Sequence, residues 1–366
     1  MDKRISLRKR DLGFSLVELL VATAITLISL LIIVQVFSVY DGWKRTTTGT
    51  AQSQENGLLG TFSIERDLRS AGFGMVGLGC SRINAYNAIA GPVTISATGL
   101  PVTITPDLPP AGTNQRINIL YSSSPFGNIA ARLQADMPDS DPPPPTILRV
   151  NNGVGFNRGD MIVISEPPKD CSILQLSQDA QPTAAPNVNA PGNSWILPHD
   201  PAVPWNPPVG QNIFPVLPLP AGYTDGARVL NLGQLVDRSY FVQNNTLRME
   251  ERNLVDGSLT TFDLIPGVIG LRARYGRDTN ADGVLDAFDN DTPALIAAGV
   301  GGNNTLVAVQ ISLIVRSGNW ERNEVSPAAI AYWLNGPAVA IGPDDRHYRY
   351  RVFQTVVPLK NMIWNN

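Results

Sequence analysis

An apolar run near the amino terminus, residues 14–40, constrains this chain more than any other feature, and Glu18 is its only charged residue. As an α-helix, a run of this length would extend for about 40 Å, enough to cross a hydrocarbon core of about 30 Å. Basic residues just before the run favour a cytoplasmic amino terminus: Lys3, Arg4, Arg8, Lys9 and Arg10. The run therefore predicts a single membrane-spanning helix.

The position of Glu18 needs a reason, since a carboxylate inside a bilayer costs at least about 2.5 kcal/mol. An ordinary secretory signal is cleaved after its apolar run, following small residues, whereas here the small residue, Gly13, precedes the run. Either Glu18 lies close enough to the interface to remain hydrated, or it has a partner in a later state.

The segment GFSLVELL, residues 13–20, resembles the class III signal of type IV prepilins. The resemblance implies that a prepilin peptidase cleaves after Gly13 and methylates the new amino terminus at Phe14. It also implies that Glu18, the fifth mature residue, neutralises the amino terminus of a neighbouring subunit inside an apolar filament core. An unpaired charge would be costly in such a core.

The rest of the chain is long enough for a large exported domain. Of its 366 residues 43% are hydrophobic and 16% charged, which suits one or two packed cores. A formal net charge of −3 gives no reason to expect nucleic acid as a partner. Cys80 and Cys171 do not have the spacing of a metal knuckle or a CxxC pair, and one disulfide becomes the natural interpretation if the chain is exported.

The helix is predicted to continue as an amphipathic segment over residues 41–75. Leu58 with Phe62, and Ile64 with Leu68, are spaced four residues apart and could cover a sheet. Each glycine weakens a helix by about 1 kcal/mol relative to alanine. We therefore expect the juxtamembrane part to be bent or partly melted around Gly42, Gly49, Gly57 and Gly60.

Most of the 30 prolines lie between residues 92 and 220. This density predicts long loops with short strands, such as residues 159–165, and excludes long helices and central strands. The aromatic residues Trp195, Trp205 and Phe214 either line a ligand groove or pin the loops to the domain. His199 is expected on the surface of one of these loops.

The last third of the chain predicts half-buried antiparallel strands. Apolar residues alternate with polar or small ones over 269–276 and 307–315, Asn244 and Asn245 suggest a hairpin, and 347–359 supplies a final strand. A long amino-terminal helix packed on an antiparallel sheet with proline-rich loops is an α+β fold, the arrangement known for type IV pilins.

Four segments resemble the PilW minor pilins of type IV pili: IERDLRSAGFG after the helix, and residues 271–288, 309–317 and 347–361. Family members commonly carry two cysteines in positions that match Cys80 and Cys171, which implies a disulfide between them. The proline-rich stretch and the EPPKD spacer before Cys171 depart from the family pattern.

The PilW resemblance implies a minor pilin that helps to prime pilus assembly and forms part of a tip complex. Its implied partners are other minor pilins, the major pilin, the inner-membrane assembly platform and a PilY-type tip adhesin. The implied location is the inner membrane of a bacterium, in a single pass, and then the pilus fibre or tip at the cell surface. A type II secretion pseudopilin, and a membrane-anchored calcium or ligand-binding protein that never enters filaments, are the alternatives.

One motif in the sequence suggests a metal site. Oxygen-bearing residues recur at positions 1, 3, 5, 7, 9 and 12 of a calcium-type loop, with Gly283 at position 6 for the turn: Asp278, Asn280, Asp282, Val284 through its carbonyl, Asp286 and Asp289. The alternative is a polar turn between strands. The sequence contains no HExxH, GxSxG, Walker A or GxGxxG motif, so neither an enzyme nor an organic cofactor is predicted.

These observations divide the chain into four expected segments. They are a leader over 1–13 that is removed, a membrane-spanning and filament-core helix over 14–40, its amphipathic continuation over 41–75, and a β-rich domain outside the cytoplasm over 76–366.

Overall fold

A computed structural model describes most of the chain after the leader. The described residues are 15–75, 78–80, 82–88, 91–96, 100–106, 114–124, 130–137, 146–183, 194–208, 211–253, 258–280, 282–289 and 305–363. Gly13 and Phe14, the two residues of the predicted cleavage site, lie outside these ranges.

One α-helix, α1, runs without interruption over Leu16–Ser70. Its amino-terminal part is apolar and long enough to cross a membrane, and no residue of its most apolar window is buried in the isolated chain. The helix ends where the N–H of Ala71 bonds to the carbonyl of Leu68. Gly72 follows with φ of 75°, a left-handed conformation that glycine adopts without a Cβ penalty.

The expectation of a partly melted juxtamembrane helix is wrong, because α1 is continuous through all four glycines. The domain approaches α1 closely at Gly49, Gly57 and Gly60, whereas nothing lies within 4 Å of a Cβ on Gly42. A Cβ on Gly57 would stand 2.1 Å from the ring of Phe353, and one on Gly60 would stand 3.1 Å from Leu313. Tertiary packing against these glycines offsets their low helix propensity.

The buried face of α1 also differs from the expected one. Ile64 and Leu68 are fully buried as predicted, but Leu58 and Phe62 are exposed. The face turned to the domain consists largely of small residues, which let the helix and sheet backbones approach closely: Gly49, Ser53, Gly57, Gly60, Ile64, Asp67 and Leu68.

The strands that follow are short in the first part of the domain and long in the last. In chain order they are β1 (Ile83–Asn87), β2 (Gly91–Ser96), β3 (Val102–Pro106), β4 (Gln115–Ser122), β5 (Ala130–Arg132), β6 (Ile147–Val150), β7 (Met161–Ser165), β8 (Cys171–Gln175), β9 (Gln181–Pro182), β10 (Trp195–Pro198), β11 (Arg228–Gly233), β12 (Leu235–Gln243), β13 (Thr246–Arg252), β14 (Leu259–Pro266), β15 (Val268–Asp278), β16 (Ala287–Asp289), β17 (Thr305–Arg316), β18 (Ala329–Ala331), β19 (Ala338–Ala340) and β20 (Tyr350–Pro358). A 3₁₀ helix, Pro343–His347, precedes β20, and a short α-helix, Lys360–Ile363, follows it.

The helix-packed lobe comprises α1 from residue 49 onwards, β3, β4 and β12 to β20. Its sheets have the strand orders β14-β13-β12-β4-β3 and β16-β15-β17-β20, and the hairpin β18-β19 covers part of the second. Residues from both sheets and from α1 form one hydrophobic core. The predicted α+β fold, a long amino-terminal helix on antiparallel sheets, is confirmed.

The distal lobe comprises β1, β2 and β5 to β11, and it follows the carboxyl end of α1. Its sheets have the orders β2-β1-β8-β7-β11-β5 and β6-β10-β9. Two further hydrophobic clusters fill it, and one of these includes Leu120 and Leu235 from the helix-packed lobe. The two lobes therefore share a continuous apolar boundary.

Two strand predictions need correction. β7 lies between β8 and β11 and is buried along its whole length, so the proline-rich region does contain a central strand. Prolines flank that strand rather than interrupt it, which leaves its ladder intact. β17 is buried on both faces instead of one, since Tyr332 and Trp333 beside the β18-β19 hairpin cover the face turned away from α1.

Other strand predictions are confirmed. Asn244 and Asn245 have φ of 52° and 55° and connect β12 to β13, with Gln243 opposite Thr246. Positive φ at both central residues is the hairpin geometry that asparagine tolerates. The predicted final strand is β20, which pairs with β17 along its length.

Candidate functional site

The amino-terminal end of α1 carries a capping box built from Ser15 and Glu18. The Ser15 hydroxyl accepts the Glu18 N–H at 3.2 Å, and the Glu18 carboxylate accepts the Ser15 N–H at 3.0 Å. Both residues are exposed. The sequence S-x-x-E over residues 15–18 is the signature of this motif, so Glu18 has a structural role in the isolated chain in addition to the predicted role of its charge.

The helix after this cap presents apolar side chains on all sides. Residues from Leu16 to Tyr40 show large exposed apolar surfaces in the isolated chain. Soluble proteins rarely expose contiguous apolar surface of this extent, so this part of α1 requires a membrane or apolar partner helices around it.

A buried charge network holds the other end of α1 against the domain. Asp67 is buried; its carboxylate accepts hydrogen bonds from Tyr240 at 2.7 Å and from Arg238 at 3.1 Å. Arg238 also bonds to Glu251 and to the hydroxyl of Tyr121. Burial, followed by the nearby Asp67 carboxylate, raises the pKa of Tyr240. Removing one partner of such a network leaves a buried charge uncompensated, so the network fixes how α1 sits on the sheet.

Cys80 and Cys171 form a disulfide with a Cα–Cα distance of 5.4 Å, which confirms the predicted pairing. Both cysteines are buried, and the bond lies where β1 and β8 run parallel, with Ile83 opposite Cys171. The disulfide therefore ties the segment that follows α1 into the distal lobe.

The aspartate-rich loop between β15 and β16 is organised by Asp278, which is fully buried. Its carboxylate accepts the N–H groups of Asn280 at 3.1 Å and Gly283 at 2.6 Å. Gly283 has φ of 82°, as the turn at the sixth position of a calcium loop requires. These bonds are typical of an Asx turn as well.

Two further acids of this loop have hydrogen-bond or ion-pair partners in the structure. Asp286 accepts the N–H and hydroxyl of Thr279, and these bonds lower its pKa. Asp289 pairs with Arg277 at 3.2 Å. Within the described residues, which omit 281, no group of three or more His, Cys, Asp or Glu side chains is placed to hold a metal ion. Calcium binding by this loop remains a prediction.

The aromatic residues of the proline-rich region pack into hydrophobic cores. Trp205 and Phe214 are buried, and Trp195 packs on the distal core with its ring close to Gly153. The interpretation that they pin the loops is confirmed. His199, expected on the surface, is buried at the end of β10.

The fold and the amino-terminal signal define a class: a membrane-anchored, pilin-like subunit with a long helix on antiparallel sheets. Residues 8–34 match the prokaryotic N-terminal methylation motif. Residues 237–361 match the family described as Type IV Pilus-assembly protein W. Together these two matches support a PilW-type minor pilin. No curated protein and no solved structure matches the chain.

The matched regions correspond to two parts of the structure. The first covers the capping box and most of the apolar part of α1, and the second runs from within β12 to the end of β20, which is most of the helix-packed lobe. The signal places the chain in a membrane first and in a pilus at the cell surface later, with prepilin peptidase and other pilus components as its interaction partners.

Proposed function

We propose that this protein is a minor pilin that helps to prime pilus assembly and stays in a complex at the pilus tip. It enters this complex with other minor pilins and the major pilin, through the inner-membrane assembly platform, and can carry a PilY-type adhesin. Its role is structural rather than catalytic.

The observation that carries this proposal is the placement of the distal lobe. This lobe follows the carboxyl end of α1, opposite the membrane-spanning end, and holds two hydrophobic clusters of its own. A subunit repeated along a fibre would have to fit this bulk between its neighbours. At the tip, by contrast, the space beyond the last subunits is open.

Glu18 offers the sharpest test, because the structure gives it two separable properties. Glu18→Gln keeps a side chain that can accept the Ser15 N–H but removes the charge, whereas Ser15→Ala weakens the cap and keeps the charge. If the charge pairs with a neighbouring amino terminus, Glu18→Gln should abolish pilus assembly and Ser15→Ala should preserve it.

The readouts are the mature amino terminus, piliation and the presence of the protein in sheared filaments. Mass spectrometry should find a methylated Phe14 in the unmodified chain and in both variants. Immunogold labelling should place the protein at filament ends. Normal piliation with Glu18→Gln, or label spread along the fibre, would contradict the proposal.

The same signal fits a type II secretion pseudopilin, and a subunit that never assembles would be a membrane-anchored binding protein. Loss of secretion with normal pili in a deletion strain would favour the first. Normal pili and normal secretion would favour the second.

A further inference from the structure

The loop after β17, residues 317–322, lies beside α1 just beyond its apolar part. The side-chain amide of Asn319 donates to the carbonyl of Arg45 at 2.7 Å, and Gly49 packs against the Asn319 side chain. The apolar run ends at Tyr40. At 1.5 Å per residue, this bond fixes the loop about 7.5 Å further along the helix axis.

The position of the loop along the α1 axis matches the headgroup region on the outer side of a bilayer. A hydrocarbon core of about 30 Å takes up about 20 helical residues. With Glu18 at the cytoplasmic boundary, the core ends close to Ser38. The segment from Tyr40 to Arg45 then lies among the headgroups, and the loop held at Arg45 lies at the same depth.

Trp320 is the exposed aromatic side chain of this loop. It is 56% exposed although it is a large apolar group. Its ring stacks on His347 with centroids 4.7 Å apart, and His347 is held through Nδ1 to the carbonyl of Glu321 at 2.8 Å. Arg349 bonds to the Glu321 carboxylate. These contacts hold the loop in place while more than half of the Trp320 surface remains exposed.

Two further aromatic residues are exposed at the same level, Tyr40 and Trp43 on α1. Tyrosine and tryptophan favour the membrane interface, where the ring is apolar and the polar tip stays hydrated. Four cations at this end are paired with carboxylates, which reduces the charge available to attract anionic lipid: Arg45 with Asp41, Arg316 with Asp345, Arg346 with Glu324 and Arg349 with Glu321. Lys44 and Arg322 are exposed cations beside the aromatic residues, so the lipid charge is varied in the test.

We propose that Trp320, together with Tyr40 and Trp43, forms a membrane-contact surface that seats the helix-packed lobe on the outer face of the inner membrane before assembly. The occupant of this surface is the phospholipid interface, and the contact is aromatic rather than electrostatic. The surface fixes the orientation in which the anchored subunit meets the assembly machinery. This inference depends only on the membrane-anchored state, so it can stand or fall independently of the role at the pilus tip.

The test uses the full chain in phospholipid nanodiscs that contain a lipid with a nitroxide on its headgroup. Because Cys80 and Cys171 are joined, a single added cysteine gives a unique label site. A fluorophore at Asn323→Cys reports on the loop, and one at Val154→Cys, an exposed position in the distal lobe, is the reference. We expect strong quenching at 323 and little at 154.

Variants then separate the contributions. Trp320→Ser should remove most of the quenching at 323, and Trp320→Phe should restore part of it. Asn319→Ala should reduce quenching while Trp320 is still present, because the bond to Arg45 is lost. Leu217→Ser, at an exposed apolar residue of the distal lobe, is the matched control and should change nothing.

Equal quenching at 323 and 154, or quenching at 323 that Trp320→Ser leaves unchanged, would overturn the proposal. Quenching that occurs only with anionic lipid would overturn the aromatic contact in favour of an electrostatic one. Thermal melts of each variant verify that a loss of quenching does not come from unfolding.

Discussion

At the scale of single residues, the glycines of α1 show how a helix-weakening residue can be required by packing. By helix propensity alone, each glycine lowers the stability of the helix. In the folded protein, however, Gly57 faces Phe353 with no space for a methyl group, and Gly60 faces Leu313 with little space for one. The same residue type has no neighbour within 4 Å at Gly42, so only tertiary contacts distinguish these positions.

Gly57→Ala should therefore destabilise the protein, by about 1 to 3 kcal/mol, since the Phe353 ring must move. Gly42→Ala, the matched control, should leave stability unchanged or raise it slightly through helix propensity. Thermal unfolding of the full chain in detergent measures both. If the two variants have the same melting temperature, close packing at Gly57 does not contribute to the stability of the protein.

The aspartate-rich loop yields a second prediction at this scale. A site with Kd on the order of 10⁻⁴ M would be largely filled at millimolar calcium and would stabilise the fold by roughly 1.4 kcal/mol. Asp282→Ala should abolish that gain, whereas Asp344→Ala, an exposed acid outside the loop, should keep it. Calorimetry and melts with and without calcium decide the question. If calcium releases no heat and does not shift the melting temperature of the unmodified protein, the loop is a polar turn and not a calcium site.

At the scale of elements, the Glu166–Lys169 ion pair in the connection between β7 and β8 is hydrogen-bonded to the segment that precedes β11. Glu166 accepts the N–H and hydroxyl of Thr224 at 2.7 and 2.9 Å and pairs with Lys169 at 3.0 Å. Lys169 is buried and donates to the carbonyl of Gly222. Burial alone would raise the pKa of Glu166, but the bonds from Thr224 and Lys169 outweigh it and lower that pKa.

Because the folded state lowers the pKa of Glu166, this residue stabilises the protein at neutral pH and less so in acid. Glu166 stabilises the folded state fully above the unfolded-state pKa of about 4.3, and this contribution is lost as the pH falls through the lower folded-state pKa. Glu166→Gln should cost about 1.5 to 3 kcal/mol at pH 7, and the cost should shrink in acid. Denaturant unfolding at pH 7 and below pH 4 measures it. A difference that does not change with pH would contradict this account.

At the scale of the whole molecule, the disulfide closes a loop across 91 residues and links the end of α1 to the distal lobe. In the chain-entropy model, such a loop contributes about 4 to 5 kcal/mol through the unfolded state. Cys80→Ala with Cys171→Ala should lower stability by up to that amount and chiefly loosen the distal lobe. The helix-packed lobe, with its own core, should retain more of its structure.

Hydrogen exchange resolved by segment can separate the two lobes in this variant. Protection should fall in β7, β8 and β11 and persist in β15 and β17. Thiol labelling of the denatured, unreduced protein is the control and should find no reactive cysteine. A uniform loss of protection would mean that the lobes unfold as one cooperative unit.

The sequence by itself determined the membrane-spanning helix, the placement of Glu18 near the amino-terminal end of that helix, the α+β class, the β12–β13 hairpin and the disulfide. The helix, the fold class and the hairpin depend on local composition and turn chemistry, which the order of residues along the chain records directly. The disulfide was predicted from the expected export of the chain and from the resemblance to PilW minor pilins. The Ser15–Glu18 cap is also a local feature, since the S-x-x-E spacing is its sequence signature.

Only the tertiary structure decided which face of α1 is buried, that β7 is a central strand, and that β17 is covered on both faces. Each depends on contacts between residues far apart in sequence, such as Gly57 with Phe353 or Asp67 with Arg238. A glycine, a proline or an apolar residue has the same local propensity wherever it occurs. Whether it fits depends on the neighbour that folding brings beside it, because close packing is decided at the level of individual methyl groups.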